Sequence, residues 1–154
     1  SSEEDQLRPR LSLLKGFQIC LMDCPPSLGA PTLQAIWNAD RLLLPTLAEP
    51  ASLKGLKEAV ELIREERPSL PIDVLRTRYK PRLVISRESV EQLMKGEQAA
   101  DYSLLTTAIP ENVAIAEAFA HQVPVNEHAP NSVGTLAYQL LAQEVVAAWG
   151  MGEG

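Results

Sequence analysis

One aspartate in this sequence stands where a ligand-binding carboxylate is expected. A mostly apolar run over residues 17–22 ends in Asp23, and Pro25 and Pro26 follow almost at once. An apolar run bounded by turn signals predicts a buried strand over residues 17–23, which the prolines end because they have no N–H to donate. Open α/β sheets bind ligands at the carboxyl ends of their strands, where a carboxylate can hold Mg²⁺ beside a phosphate. The alternative is an acidic residue that only caps a turn.

The elements that would position Asp23 alternate between strand-like and helical patterns. Further strands are predicted at residues 41–46, 70–77 and 104–109, and helices at residues 30–38, 52–67, 85–95, 112–120 and 132–148. Near-continuous apolar runs such as Leu42 to Leu44 are typical of strands covered on both faces. The alternation favours an α/β fold with a mainly parallel sheet. We therefore expect helices on both faces of the sheet, and Asp23 at the carboxyl end of a central strand.

Burial can also be predicted for the last helix and for the two cysteines. Ser132 is expected to cap the last helix. The side chains that this helix is expected to bury are Leu136, Leu140, Leu141 and Val145. Cys20 and Cys24 would lie about 13 Å apart on an extended strand, which is too far for a disulfide. We expect both to be small buried apolar residues.

Composition is that of an ordinary globular domain. The chain has 154 residues, 45% of them hydrophobic and 22% charged, with a net charge of −6. A chain of this length can bury one core. No apolar run approaches the roughly 20 residues that span a bilayer, and no signal peptide precedes the first strand, so we expect a cytoplasmic protein. Two histidines and no Cys-x-x-Cys pair argue against a structural zinc site.

Six sequence blocks occur in the same order as in one known family. They are Asp23 to Gly29 (D-x-P-P-S-L-G), Ala39 to Pro45 (A-D-R with an apolar strand and Pro), Glu49 to Leu56, Thr77 to Val90 (T-x-Y-x-x-R-x-x-x-S-R-E-x-V), Ile109 to Ala118 (I-P-x-N-V-x-x-A-E-A), and Pro124-Val125 with the later Ser132, Gly134, Ala137 and Tyr138. In this order they resemble the ParA family of chromosome and plasmid partition ATPases. The resemblance implies an incomplete P-loop NTPase-like fold of the SIMIBI type. Residues 1–15 would be a polar N-terminal segment, and residues 16–154 the C-terminal portion of the family's ATPase domain.

The family's phosphate-binding loop, K-G-G-x-G-K-[ST], is missing from this chain. None of the five lysines of this chain follows a glycine. Because backbone N–H groups and lysines of that loop hold the phosphates, we expect this chain alone to be inactive and to bind no cofactor. In an intact parent the resemblance implies ATP and Mg²⁺ as cofactors, with Asp23 holding the metal through water.

The resemblance also assigns nucleotide-linked positions. They are Asp23, Pro25, Pro26, Ser27, Thr77, Arg78, Pro110 and Asn112. Thr77, Arg78, Pro110 and Asn112 would lie on the adenine side. The residue types by themselves favour a simpler interpretation of Pro110 and Asn112, as a strand-to-helix turn with Asn112 capping the helix.

A run of basic residues is a candidate DNA-binding surface. Five cations lie between Arg76 and Arg87, with no acid until Glu88. The DNA-binding candidates among them are Arg78, Lys80, Arg82 and Arg87. Against DNA stand the net charge of −6, and Glu111 and Ala114 where the family often has arginine. The alternative is a solvated loop.

The sequence therefore indicates the later portion of a ParA-like ATPase, which segregates or positions plasmid or chromosomal DNA or another cargo by ATP-dependent dimerisation. The partners implied are a second protomer, a ParB-like protein and non-specific DNA. The alternative is a non-catalytic interaction or dimerisation module derived from that family. A membrane-positioning relative is disfavoured because residues 141–154 lack a basic amphipathic tail.

Overall fold

The computed structural model describes residues 5–99 and 101–151. Three parallel strands form one sheet in the order β1-β2-β3: β1 (Leu42–Leu47), β2 (Ile72–Tyr79) and β3 (Ser103–Pro110). The helices are α1 (Arg8–Leu11), α2 (Ala30–Asn38), α3 (Pro50–Glu66), α4 (Val84–Gln98), α5 (Val113–His121), α6 (Val125–His128) and α7 (Val133–Ala148). The predicted α/β fold class is confirmed. The three strands after residue 40 and the five helices form within three residues of their predicted bounds.

The central strand β2 separates two apolar cores, because successive side chains of a strand point to opposite faces. On one face Val74 is fully buried and packs with Ile63 of α3 and Leu93 of α4. On the other face Leu75 packs with Leu141 of α7. Each such side chain, once buried, contributes about 1.5–3 kcal/mol. Helices therefore cover both faces of the sheet, as predicted.

The edge strand β1 is covered on one face only. Pro45 is aligned with Leu75 of β2 and shares its face, yet Pro45 and Leu43 are exposed there. On the opposite face, Leu42 and Leu44 pack against the core formed with α3. Helix α7 thus covers its face of the sheet over β2 and β3 and leaves β1 bare.

The strand predicted over residues 17–23 is not formed, and that prediction is wrong. The segment is irregular, with Phe17 74% and Leu21 81% exposed. It pairs with none of the three strands that the structure describes, and an apolar run without a hydrogen-bonded neighbour has no reason to stay extended. Asp23 therefore does not end a central strand. For the same reason Cys20 and Cys24, expected to be buried, are exposed.

Helix α7 buries only part of the side predicted, since Leu141 and Val145 pack in the core with Leu75 whereas Leu136 and Leu140 do not. Ser132 caps it as expected, with its hydroxyl accepting a hydrogen bond from the Thr135 amide at 3.1 Å. Leu141 is buried, but Leu136 and Leu140 are 55% and 47% exposed. The small residues Gly134, Thr135 and Ala137 lie against the protein instead. Because α7 is apolar on nearly every side, its pattern could not indicate which side packs.

A buried carboxylate connects the start of β2 to the far end of α7. The Asp73 side chain is 3% exposed and accepts hydrogen bonds from Arg41 Nη1 at 3.1 and 3.2 Å and from Trp149 Nε1 at 2.7 Å. The Arg41 guanidinium also lies 5.9 Å from the Trp149 ring centroid. These contacts satisfy a carboxylate whose burial would otherwise be costly. Nothing in the sequence patterns predicted them.

A second carboxylate holds α7 to the edge strand β3. Between Val74 and Arg76 the pairing of β2 with β3 shifts register, because β3 has extra residues there. Within that irregular stretch the amides of Thr106 and Thr107 donate to the Glu144 carboxylate of α7 at 2.6 and 2.8 Å. Partial burial raises the pKa of Glu144, but these hydrogen bonds outweigh it and leave the pKa below the ordinary value.

Among the residues that the structure describes, no helix has both the length and the apolar character needed to cross a membrane.

The Trp149 hydrogen bond to Asp73 should be measurable against a second tryptophan. Trp149→Phe keeps most of the packing but removes a donor to a buried carboxylate, so it should lower the free energy of unfolding in urea by about 1.5–3 kcal/mol. Trp37→Phe is the matched control, because Trp37 Nε1 donates to the exposed Glu66 at 2.9 Å. It should cost less than about 1 kcal/mol. Equal losses in the two variants would contradict a structural role for the Asp73 contacts.

Candidate functional site

A cleft lies where the three parallel strands end. It has a volume of about 240 Å³. Its polar lining comes from the segments that leave β1, β2 and β3, and from the first turn of α4: Glu49, Arg78, Tyr79, Lys80, Ser86 and Glu111. Carboxyl ends of parallel strands are the usual ligand-binding edge of an open α/β sheet. The cleft is therefore the candidate functional site of the described residues.

One carboxylate in this cleft pairs with two cations. Glu111 Oε1 lies 3.2 Å from Arg78 Nη2, and Glu111 Oε2 lies 2.9 Å from Lys80 Nζ. The strands create this arrangement, because the Glu111 amide donates to the Tyr79 carbonyl at 3.2 Å and continues the pairing of β2 with β3. The sequence had marked Glu111 as an acid where the family often has arginine, but it gave no sign of the partners.

Arg78 has an unusual backbone conformation. Its φ is +46°, in the left-handed region that residues with a side chain rarely adopt. Such strain costs on the order of 1–3 kcal/mol and is most often found at functional sites. The conformation lies at the point where β2 ends and the chain turns towards α4, so it sets the direction in which the Arg78 side chain leaves the sheet.

The two ion pairs also act on the pKa of Glu111. Hydrogen bonds from Lys80 and then Arg78 lower that pKa below the ordinary value of a glutamate. A group whose pKa is lowered in the folded state contributes stability above its unfolded pKa and loses it as the pH falls through the folded pKa. Acid therefore weakens both pairs, because protonation of Glu111 removes the negative charge that they share.

The adenine-side positions fall at the strand ends, with mostly local contacts. Pro110 ends β3 opposite Tyr79. The Asn112 side chain caps α5 by accepting a hydrogen bond from the Ala114 amide at 3.1 Å, so the capping interpretation is confirmed for Asn112. Thr77 Oγ1 lies 3.5 Å from the Thr46 carbonyl. A nucleotide-binding role for these residues stays a prediction, as it does for Arg78.

The residues expected to contact Mg²⁺ and phosphate lie elsewhere. Asp23, Pro25, Pro26 and Ser27 are exposed in the irregular segment before α2. The Thr32 hydroxyl donates to the Ser27 carbonyl at 2.6 Å and holds the end of this segment against α2. None of these four residues lines the strand-end cleft within the described part of the chain. Their assigned role also stays a prediction.

One cation of the basic run, Arg76, is not available at the surface. Arg76 turns inward, where its guanidinium donates to the Thr106 carbonyl at 2.7 Å and lies 5.2 Å from the Tyr79 ring centroid. Arg82 and Arg87 are exposed in the turn before α4 and in its first turn, and neither makes an ion pair with another described residue. The predicted DNA-binding candidates are thus two cations held by Glu111 and two exposed arginines.

These residues do not fit the phosphates of a magnesium nucleotide by themselves. The cations of the cleft already face a carboxylate, and no lysine of the chain follows a glycine. Residues 5–99 and 101–151 contain no group of three or more His, Cys, Asp or Glu side chains placed to hold a metal ion. No step of ATP hydrolysis is therefore assigned to this chain alone.

Comparison with known proteins identifies relatives for nearly the whole chain. A family profile for an AAA domain (AAA_31) matches residues 2–73. The chromosome-partitioning ATPase Soj of Thermus thermophilus is 34% identical over 86% of this chain and 54% of its own length. The chromosome partitioning protein ParA of Myxococcus xanthus is 29% identical over 92% of this chain and 50% of its own length.

The fold has a solved counterpart as well. The crystal structure of the Pyrococcus furiosus cell division ATPase MinD superimposes with a TM-score of 0.71 and 26% identity, over 89% of this chain and 55% of the MinD chain. The chain spans about half the length of the curated relatives that it matches.

The acid titration of Glu111 tests the ion pairs directly. NMR observation of the Glu111 carboxyl carbon should give a pKa below the ordinary glutamate value, because both cations favour the charged form. Lys80→Gln should move that pKa back upward. Lys57→Gln is the control, since among the described residues Lys57 pairs with Glu61 alone, at 3.9 Å on α3, and its loss should leave Glu111 unchanged. If the pKa of Glu111 has its ordinary value and Lys80→Gln does not change it, the ion pairs of Glu111 with Arg78 and Lys80 do not persist in solution.

Proposed function

Since this chain belongs to the ParA family and matches the C-terminal portion of the family's fold, we propose that it forms the later part of an ATPase that positions DNA or another cargo. In this proposal, ATP-dependent dimerisation of the complete protein drives the positioning. ATP and Mg²⁺ bind only when a P-loop-bearing portion is present. The chain described here then supplies the base side of the nucleotide site and the segment around Asp23.

The observation that carries the proposal is the convergence of three strand ends on one polar cleft. Residues 109–112 and 77–79 both reach that edge, on adjacent strands, and Tyr79 pairs with Pro110. A proline ring beside an aromatic residue can pack on a purine, and the nearby backbone groups can hydrogen-bond to its edge. Phosphoryl transfer requires a protein to position the phosphates and stabilise their charge. The P-loop supplies both, so in this proposal its presence decides whether the chain is active.

A chimera tests this proposal. We would join the portion of the Thermus thermophilus relative that precedes its matched region to this chain, and measure phosphate release from ATP. The chimera should hydrolyse ATP, whereas this chain alone should not, because Asp23 and Pro110 cannot hold phosphates unaided. Asp23→Ala should lower the chimera's turnover by about 10- to 100-fold, the usual cost of losing a group that orients a metal through water.

Asp40→Ala provides the matched control. Asp40 is also an exposed aspartate, located just before β1, and its loss should leave turnover unchanged. Turnover by the chain alone that disappears in Asp23→Ala would mean that another loop replaces the P-loop. A folded chimera without activity would contradict the proposal and favour the second candidate.

The second candidate is a non-catalytic interaction module, which would use the exposed surface to bind its partner. The accessible surface is 10595 Å², against about 7,700 Å² expected for a compact monomer of this mass. The excess includes large apolar side chains such as Phe17 and Leu21, and Phe119 on α5 is 86% exposed. Apolar exposure on this scale marks a surface that another polypeptide covers. Both candidates account for it, since a P-loop-bearing portion would cover the same residues.

A further inference from the structure

We propose that Glu111 is a built-in counter-anion that pairs with Arg78 and Lys80, and that it thereby holds back the binding of DNA phosphates to these two cations. The inference rests on the proposed function, in which DNA is one cargo, and it adds how binding at this place is limited. It concerns the chain's own residues and needs no nucleotide.

The arrangement of Arg78, Lys80 and Glu111 matches that of an anion-binding site in which the Glu111 carboxylate is the bound anion. Each oxygen of one carboxylate faces one cation, Arg78 at 3.2 Å and Lys80 at 2.9 Å. A phosphodiester group likewise offers two charged oxygens on one atom, and arginine and lysine bind both anions through charge-assisted hydrogen bonds. The Glu111 carboxylate therefore marks the position that a backbone phosphate oxygen would take.

The cluster is open enough for a large ligand to reach it. The side chains of Arg78, Lys80 and Glu111 are 71%, 49% and 42% exposed. An ion pair this exposed contributes little in water, because solvent screens it and two flexible side chains must be ordered. Glu111 can thus be displaced by a polyanion whose binding releases many counterions at once. Held in place, it contacts two of the four candidate cations and offsets one of their four positive charges.

The remaining cations favour a polyanion over a free nucleotide. Arg82 and Arg87 continue the positive run past the cleft, in the turn before α4 and in its first turn. Four cations spread over ten residues can contact successive phosphates of a duplex, whereas a single nucleotide would reach only one end of the run. The net charge of −6 makes removal of a carboxylate at this position all the more important for binding.

Anisotropy of a labelled duplex of mixed sequence, titrated with this chain between 50 and 200 mM salt, tests the inference. Glu111→Gln should bind more tightly than the unaltered chain, and the slope of log K against log salt should steepen by about one, because one phosphate takes the place of the carboxylate. Glu88→Gln is the matched control. It removes one exposed carboxylate beside the same basic run, and Glu88 makes no ion pair with another described residue.

Three further measurements make the outcome decisive. Adding Arg78→Ala and Lys80→Ala to Glu111→Gln should remove the gain, and thermal unfolding should show that each variant is folded. Equal gains in Glu111→Gln and Glu88→Gln, or no binding by any folded variant, would overturn the inference. Displacement of the duplex from Glu111→Gln by equimolar ATP would also overturn it, since the site would then take a free triphosphate. The proposed function is tested separately, by the ATP turnover of the chimera, and does not depend on these binding results.

Discussion

The structure depends on one constraint, which is that each parallel strand needs a hydrogen-bonded neighbour. Among the described strands only β2 has a hydrogen-bonded neighbour on both sides, and its Val74 and Leu75 pack in the two opposite cores. Where a neighbour is missing, the fold opens. Residues 17–23, which pair with no described strand, stay irregular, and the face of β1 that α7 does not cover, with Leu43 and Pro45, stays exposed. The order of the strands therefore decides which apolar segments of this chain are folded and which remain exposed.

The same pairing builds the candidate site. Parallel strands end at one edge, so the segments after β2 and β3 are adjacent although about 30 residues separate them along the chain. The amide of Glu111 bonds to the Tyr79 carbonyl, and this brings the carboxylate to Arg78 and Lys80. Where the ParA family often has arginine, this chain has an acid in contact with two cations, which lowers the positive charge of the strand-end cleft. Helix α7 stabilises this sheet from outside through Asp73 and Glu144.

Local signals in the sequence predicted local structure well. Helix α2 forms over its predicted residues, and Ser132 and Asn112 cap helices as their types indicate. Contacts between distant residues could not be predicted in this way. Trp149 bonds to Asp73 across 76 positions, and nothing in either local pattern links them. The strand predicted at 17–23 is absent for a related reason. The run is apolar, as a strand requires, but it folds only when a partner strand is present. The family blocks supplied the likeness to partition ATPases, which no composition or periodicity would have given.

Amide hydrogen exchange, followed by mass spectrometry on this chain, tests the central claim that strand partners decide which segments fold. The account predicts that amides of residues 72–75 exchange slowly, because that part of β2 is paired on both edges and buried on both faces. Amides of residues 17–23 should exchange at close to the rate of an unstructured peptide. Protection of residues 17–23 comparable to that of β2 would show that this segment is a paired strand, and it would contradict the account.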